Sequence, residues 1–304
     1  MRIIRPYTLK FIKGFVSFPK IERNMIAYYS INGKITHAGQ AALKLNDLSI
    51  LRGYGIFDYF LVKAGKPVFI EDYLERFTRS AALLYLDIPQ LTGSLEEAVE
   101  ELIRVNGLHE ASIRLVLTGG YADDGYTPLH PNLLIMAHPY PDINPHYYTG
   151  GIALMSYDYQ REIPEVKSIN YLTGIRLLGE LRRQGAQELL YHDRGLLRES
   201  ARSNVFVLTA DGVLATPADK VLLGVTRKKI LELATPMVKT EERDITFEEL
   251  LTAKEVYLTS TTKGIMPVVK VDDHLVGNGR PGELAPVLQQ KFVAFTQAYL
   301  EQKK

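Results

Sequence analysis

Pro164-Glu165-Val166-Lys167-Ser168-Ile169-Asn170-Tyr171-Leu172 sets one lysine between the apolar Val166 and Ile169, just ahead of a predicted helix. Burial at such a place disfavours the ammonium form and lowers the pKa of the amine. A neutral amine is the form that attacks an aldehyde to make an imine. Read locally, Lys167 is equally a strand-end lysine whose stem lies on apolar surface and whose ammonium stays in water. The decision rests on the rest of the chain.

Downstream, Arg198-Glu199-Ser200-Ala201-Arg202-Ser203-Asn204-Val205-Phe206 puts an acid at the start of a strand, followed by small and polar residues that leave room for a planar ligand. A carboxylate beside a pyridine nitrogen keeps that nitrogen protonated and makes the ring an electron sink; the local alternative for Glu199 is an ion pair with Arg198 or Arg202. Gly224-Val225-Thr226-Arg227 opens a predicted helix after the apolar run Val221-Leu222-Leu223. Free N–H groups at a helix N-terminus, joined by a Thr hydroxyl, suit a phosphate dianion. Ser260-Thr261-Thr262-Lys263-Gly264 after a strand offers a second such cradle, and each could be an ordinary cap. Upstream, Glu71-Asp72-Tyr73-Leu74-Glu75-Arg76-Phe77 places Arg76 on a helix from which an arginine fork can reach a phosphate. Leu51-Arg52-Gly53-Tyr54-Gly55-Ile56-Phe57-Asp58 is a turn whose two glycines allow close backbone approach.

Around these stretches the chain reads as two unequal α+β and α/β parts. Residues 25–138 form the first. A strand-like run from Met25 to Ile31, the turn Asn32-Gly33-Lys34, the strand Ile56 to Val62 and the hairpin turn Ala64-Gly65-Lys66 suggest an antiparallel start. Leu74, Phe77, Ala81 and Leu84 recur at helical spacing over Glu71 to Leu86. Ser94 with Glu97 makes a capping box before a helix over Leu95 to Val105, and strands follow at 112–118 and 132–137. Residues 139–149, dense in Pro, Asn and Asp, read as an interdomain linker. Residues 150–304 carry predicted strands at 152–159, 188–192, 203–208, 255–259 and 266–271, with helices at 171–183, 226–233 and 282–300. Gly277-Asn278-Gly279-Arg280-Pro281-Gly282 has the spacing of a dinucleotide fingerprint, but no further strand follows its helix, so it reads as a turn. His192-Asp193 has no second histidine at metal-ligand spacing.

Composition narrows the partners. In 304 residues, 36 Lys plus Arg balance 35 Asp plus Glu, 46% of residues are hydrophobic and 23% charged. These are the proportions of an ordinary globule with no electrostatic reason to bind nucleic acid. There is no cysteine, which removes thiolate chemistry and fits a cytoplasmic protein, and no apolar run is long enough to span a bilayer. Residues 1–24 hold six basic residues against Glu22 alone. They read as a basic extension, with a targeting or membrane-surface arm as the rival.

Taken in order, Arg-Gly-Tyr-Gly-x-Phe, Tyr-Leu-x-Arg-Phe, Val-Lys-Ser-Ile-Asn-Tyr, Arg-Glu-Ser-Ala-Arg-Ser-Asn-Val-Phe, Gly-Val-Thr-Arg and Ser-Thr-Thr-Lys-Gly resemble the class IV, fold-type IV pyridoxal phosphate enzymes, over residues 26 to 300. That family contains D-amino acid aminotransferases, branched-chain aminotransferases and aminodeoxychorismate lyase. The resemblance implies a small N-terminal α+β domain, a larger C-terminal pseudo-barrel domain, pyridoxal 5′-phosphate between them, and a homodimer. It implies Lys167 as the Schiff-base lysine, Glu199 as partner of the pyridine nitrogen, Arg76 as phosphate arginine, and Gly224, Val225 and Thr226 as the phosphate-binding turn. Thr262, with Thr261 as rival, is the second phosphate donor. Tyr171 is the tyrosine on the phenolic oxygen, and Ser203 and Asn204 line the cofactor. The implied reaction is ping-pong transamination between an amino acid and a 2-oxo acid such as 2-oxoglutarate.

D-Amino acid enzymes of the usual type carry a paired Arg and His on one loop; here that loop reads Thr118-Gly119-Gly120-Tyr121-Ala122-Asp123-Asp124-Gly125. Arg52 and Arg114 are available instead, as in a less usual two-arginine group, and with Tyr54 are expected at the substrate. A D-amino acid aminotransferase is therefore the first expectation, an L-branched-chain aminotransferase the second and a lyase the third.

Overall fold

The computed structural model describes residues 26–303, so the basic extension 1–24 lies outside the described residues. Six strands form the first sheet: β1 (Tyr28–Ile31), β2 (Lys34–His37), β3 (Gly55–Lys63), β4 (Lys66–Pro67), β5 (Ala111–Thr118) and β6 (Leu133–Pro139). They lie in the order β2-β1-β6-β5-β3-β4 with every pair antiparallel. Asn32 and Gly33, both at positive φ, make the two-residue turn that returns β1 onto β2, a backbone twist suited to hairpins. The short helix α1 (Leu48–Arg52) leads into β3, while α2 (Ile70–Leu83) and α3 (Leu95–Val105) cover one face of the sheet. Phe77, Val99 and Leu102 pack there against Ile56, Phe60, Ile113, Leu115 and Leu133, all fully buried. The capping box expected at Ser94 and Glu97 is present in both directions, at 3.1 and 2.7 Å.

After the helical turn α4 (His146–Gly150) come β7 (Ile152–Asp158), α5 (Leu172–Arg176), α6 (Leu178–Arg183), β8 (Glu188–Asp193), β9 (Leu196–Leu197), β10 (Asn204–Leu208) and β11 (Leu214–Thr216). They are followed by α7 (Val225–Ala234), β12 (Thr240–Glu242), α8 (Phe247–Leu251), β13 (Glu255–Ser260), β14 (Gly264–Val271), β15 (His274–Leu275) and α9 (Leu284–Gln302). The strands run β12-β11-β10-β13-β14-β7-β8-β9, with β15 on β14. Leu197 N–H donates to Ile245 C=O at 2.8 Å and Phe247 N–H to Gly195 C=O at 2.7 Å, which stitches the β9 edge to the segment after β12 and curls the sheet into a pseudo-barrel. β10 is buried along its whole length. Val205 and Val207 enter the core under α8, whereas Phe206 and Leu208 meet α7 and α9, the period-two alternation of a strand covered on both faces.

Several expected boundaries are corrected. The predicted helix 171–183 is two helices separated at Leu177. The helix expected to reach Leu86 stops at Leu83, because the chain turns at Tyr85 with φ +51°. The run from Met25 pairs only from Tyr28, and residues 139–149 contain most of α4. β2, β9, β12, β15 and α8 were not expected from periodicity; each has five residues or fewer, too short to display a period. Gly277 and Gly279 are at positive φ, consistent with the turn assigned to that glycine-rich stretch. Among the described residues no helix is long and apolar enough to cross a membrane.

Candidate active site

Lys167 sits where the two sheets meet. Its segment adds to the start of β3: Phe57 N–H donates to Lys167 C=O at 2.9 Å and Ile169 N–H to Gly55 C=O at 3.1 Å. A Cβ at Gly55 would come within 2.7 Å of Leu117 C=O on β5 and 3.2 Å of Ile169 Cδ1, so glycine is what lets β3 lie between both neighbours. From α2, Ser80 Oγ accepts the Lys167 N–H at 3.3 Å. The Lys167 ammonium lies 4.6 Å from the Phe57 ring centre, and Tyr171 meets that ring edge-on at 5.7 Å. Burial, with the Arg76 guanidinium nearby, pulls the Lys167 amine down to about 8, against the attraction of Asp58.

Glu199 is buried, and its partner is neither of the arginines beside it in the chain. Arg161 Nε donates to Glu199 Oε1 at 2.7 Å, Leu222 N–H donates to Oε2 at 3.1 Å, and Arg161 is itself held by the carbonyls of Val166, at 2.9 Å, and Pro164. Arg202 pairs with Glu188 and Arg198 with Asp193. Burial raises the Glu199 carboxyl while the Arg161 guanidinium opposes it. Arg161 thus joins the acid to the Lys167 loop. Sequence reading missed it, since nothing six residues before a lysine marks an arginine whose partner lies 38 residues on.

The anion cradle is built by the segment before α7, whose Leu222 N–H already holds Glu199. Asn204 Nδ2 donates to Leu222 C=O at 2.7 Å, and a Cβ on Gly224 would lie 2.2 Å from Asn204 Oδ1. No side chain caps α7, so the first-turn amides of Val225 and Thr226 keep their donors free at the positive end of the helix dipole. Opposite them, Thr261 Oγ1 bonds the Tyr73 hydroxyl at 2.8 Å. Thr259 Oγ1 is buried at the cavity wall without a hydrogen-bond partner among the described residues. Arg76 reaches the cavity from α2 but is engaged twice, with Nε and Nη2 on Asp58 at 2.9 and 2.6 Å, both side chains buried; Asp58 is a second residue missed. An uncapped helix end, a glycine that a Cβ would fill and an unpartnered buried hydroxyl fit a bound phosphate ester.

Arg76, Lys167, Tyr171, Glu199, Ser203, Asn204, Gly224, Val225, Thr226 and Thr261 line one cavity. Thr262 is not on its wall; its hydroxyl lies 3.4 Å from Ser260 Oγ. Arg52 and Tyr54 line a separate cleft with Arg161, Val166 and Ser168, on the other side of the Lys167 loop. Arg114 is exposed, its guanidinium 5.5 Å from the centre of the Phe57 ring that Lys167 also faces. The two arginines do not converge.

The chain belongs to the class IV aminotransferases: the family model for Amino-transferase class IV matches residues 55–271. It is a transaminase of fold type IV, and its cofactor is pyridoxal 5′-phosphate. A Methanocaldococcus jannaschii protein provisionally named as a branched-chain-amino-acid aminotransferase is 31% identical over 86% of this chain and 94% of its own length. The D-alanine aminotransferase of Bacillus licheniformis is 27% identical, over 85% and 93%. The crystal structure of the Escherichia coli branched-chain amino acid aminotransferase superposes with a TM-score of 0.81 at 29% identity, covering 88% of this chain and 93% of that one.

Proposed function

We propose that this transaminase moves the amino group of D-amino acids to a 2-oxo acid such as 2-oxoglutarate, with Lys167 as its covalent and proton-transferring residue. The observation that carries the Lys167 assignment is its place on the wall of a cavity that also holds a pinned carboxylate and an uncapped helix terminus, where desolvation draws its amine down to about 8. When bound, pyridoxal 5′-phosphate supplies an aldehyde that condenses with amines and a protonated ring that takes up an electron pair. Lys167 holds the cofactor and, once released, takes the proton from substrate Cα. Glu199 would keep the ring nitrogen protonated, and Arg161 holds Glu199 in place and opposes the upward pull of burial on its carboxyl. Tyr171 donates to the phenolic oxygen, while the amides of Val225 and Thr226, the Thr226 and Thr261 hydroxyls and Arg76 bind the phosphate. Borohydride reduction of the loaded enzyme should place the cofactor on the peptide containing Lys167, and a label elsewhere would overturn the assignment.

Preference for the D series is supported by resemblance to the less usual two-arginine group, with Arg114 near the Phe57 ring that Lys167 also faces, and by similarity to a D-alanine aminotransferase; the lack of the usual Arg and His pair at 118–125 sets this chain apart from the usual D-amino acid enzymes. The competing reading, an L-branched-chain aminotransferase, is favoured by similarity to the E. coli enzyme. Mixing the loaded enzyme with matched D- and L-amino acids and following the cofactor absorbance separates the two; conversion by L-leucine but not by D-glutamate or D-alanine would remove the D assignment. With Arg114, which faces the Phe57 ring that Lys167 also faces, on the substrate carboxylate, Arg114→Ala should raise KM about tenfold or more with cofactor absorbance retained, whereas Arg52→Ala, in its separate cleft, should change KM less than about twofold. An unchanged KM in Arg114→Ala would take that residue out of the site.

Gly224→Ala should weaken cofactor binding on the order of tenfold or more, because its methyl displaces Asn204 and opens the cradle. Titrating the apoprotein with pyridoxal phosphate reads this directly. We assign the enzyme to the cytoplasm and to a homodimer; the exposed Leu172, Ile175 and Leu178 beside Tyr171 supply an apolar stripe suited to a second copy. The division into residues 25–138 and 150–304 is kept in this reading, and the change of sheet between β6 and β7 supports it.

A further inference from the structure

The phosphate cradle described above draws on two elements from different sheets, and a solvent-open groove separates them. Arg76 comes from α2 and the free amides from α7. Arg76, Gly224 and Val225 line both the central cavity and the groove between α2 and α7, so the groove opens on the cradle from behind. One carboxylate spans it. Asp72, in the first turn of α2 and four residues before Arg76, accepts from Lys228 Nζ at 2.6 Å and from Lys229 Nζ at 2.9 Å. Residues four apart lie on one helix face, so Asp72 and Arg76 are presented to α7 together.

The pair with Lys229 is sheltered: Asp72 is 16% exposed and Lys229 13%, and the Lys229 ammonium also lies 5.5 Å from the Phe69 ring centre. Lys228 is more open, at 55%. The other charges of the groove include Glu75 and Arg79 from α2 and Arg227 and Glu232 from α7. Arg227 is taken up by Glu242 at 2.6 Å and by Pro217 C=O at 2.9 Å. Without Asp72, Lys229 would keep as carboxylate partner among the described residues only Glu232 of its own helix, at 4.0 Å, and neither lysine would tie α7 to α2 through that carboxylate.

We infer that Asp72 is a positioning residue that clasps α7 to α2 through Lys228 and Lys229 and so holds the phosphate cradle closed around its ligand. This rests on the reading of the α7 terminus as the phosphate site. Such a clasp acts on the phosphate and leaves the ring alone, which gives it a signature that general loss of structure lacks.

The test titrates full-length apoprotein with pyridoxal 5′-phosphate and with pyridoxal, which lacks the phosphate. Asp72→Asn should weaken pyridoxal phosphate binding on the order of tenfold while pyridoxal binding changes less than about twofold. The double substitution Lys228→Gln with Lys229→Gln should reproduce that loss, and adding Asp72→Asn to it should cost nothing further, as one shared interaction requires. Asp72→Glu should restore part of the affinity. Equal losses for both ligands, an unchanged ratio, or additive losses in the triple variant would overturn the clasp. A native protein with no preference for the phosphorylated ligand would instead overturn the cradle reading, and the clasp with it.

Discussion

Replacing Lys167 by alanine is expected to lower transamination at least about 10,000-fold, the range lost when a positioned acid–base and nucleophilic group is removed. Among the described residues on the cavity wall Lys167 is the one lysine, and the nearby Lys263 amine is held by Glu188 at 2.6 Å and Ser203 at 3.2 Å, so no second amine is free to substitute. The cradle at α7 is untouched by the change, so the variant should still bind pyridoxal phosphate, now without a covalent link. The pH dependence follows from the same amine. With the pKa drawn down to about 8, about half of Lys167 is neutral at pH 8, against roughly 0.3% for an ordinary lysine. The neutral form condenses with the aldehyde, so cofactor capture by the apoprotein should rise as pH increases through about 8 and then level. Stopped-flow absorbance across pH 6.5 to 10 checks this; a rate still climbing at pH 10 would show that another amine is being titrated.

Glu199→Gln is expected to cost roughly 100- to 1,000-fold in turnover, the scale on which a single preorganised charge at the reacting group matters. An amide cannot keep the pyridine nitrogen protonated, so the electron sink is lost while every phosphate contact remains. The substitution has a second consequence. Arg161 is 19% exposed and would lose its counter-charge, and a mostly buried ion pair deprived of one partner costs about 3 kcal/mol. The carbonyls of Val166 and Pro164 would retain it, which softens that loss. Thermal unfolding and single-turnover kinetics separate the two effects. Near-native turnover at saturating cofactor would sink the role given to Glu199, whereas an unchanged melting temperature would sink only the account of Arg161.

Much of the fold was legible because its signals are local. The Ser94 and Glu97 box is a contact three residues apart that a helix start makes by itself. The Asn32-Gly33 turn needs positive φ at both residues, which Asn and Gly tolerate, and Gly65 supplies it in the second turn. Short runs rich in apolar residues marked strands at 203–208 and 255–259, within a residue of β10 and β13. The short strands at the pseudo-barrel edge were not legible, since their pairing is decided by the neighbour they meet, as when β9 joins the segment after β12. The break at Leu177 was missed because residues 171–183 keep one apolar pattern through it.

The site divides along the same line. By itself the sequence determined which residues were candidates for chemistry: the lysine between apolar neighbours, the acid ahead of β10, the glycine before α7. Those properties belong to a residue and its few neighbours in the chain. Only the tertiary structure decided who meets whom. It put Arg161 on Glu199, Asp58 on Arg76 and Asp72 on two lysines 156 and 157 residues away, and it left Arg52 and Arg114 in different places. Charges attract any opposite charge within reach, so their partners follow from the path of the backbone through both sheets, which no short pattern encodes.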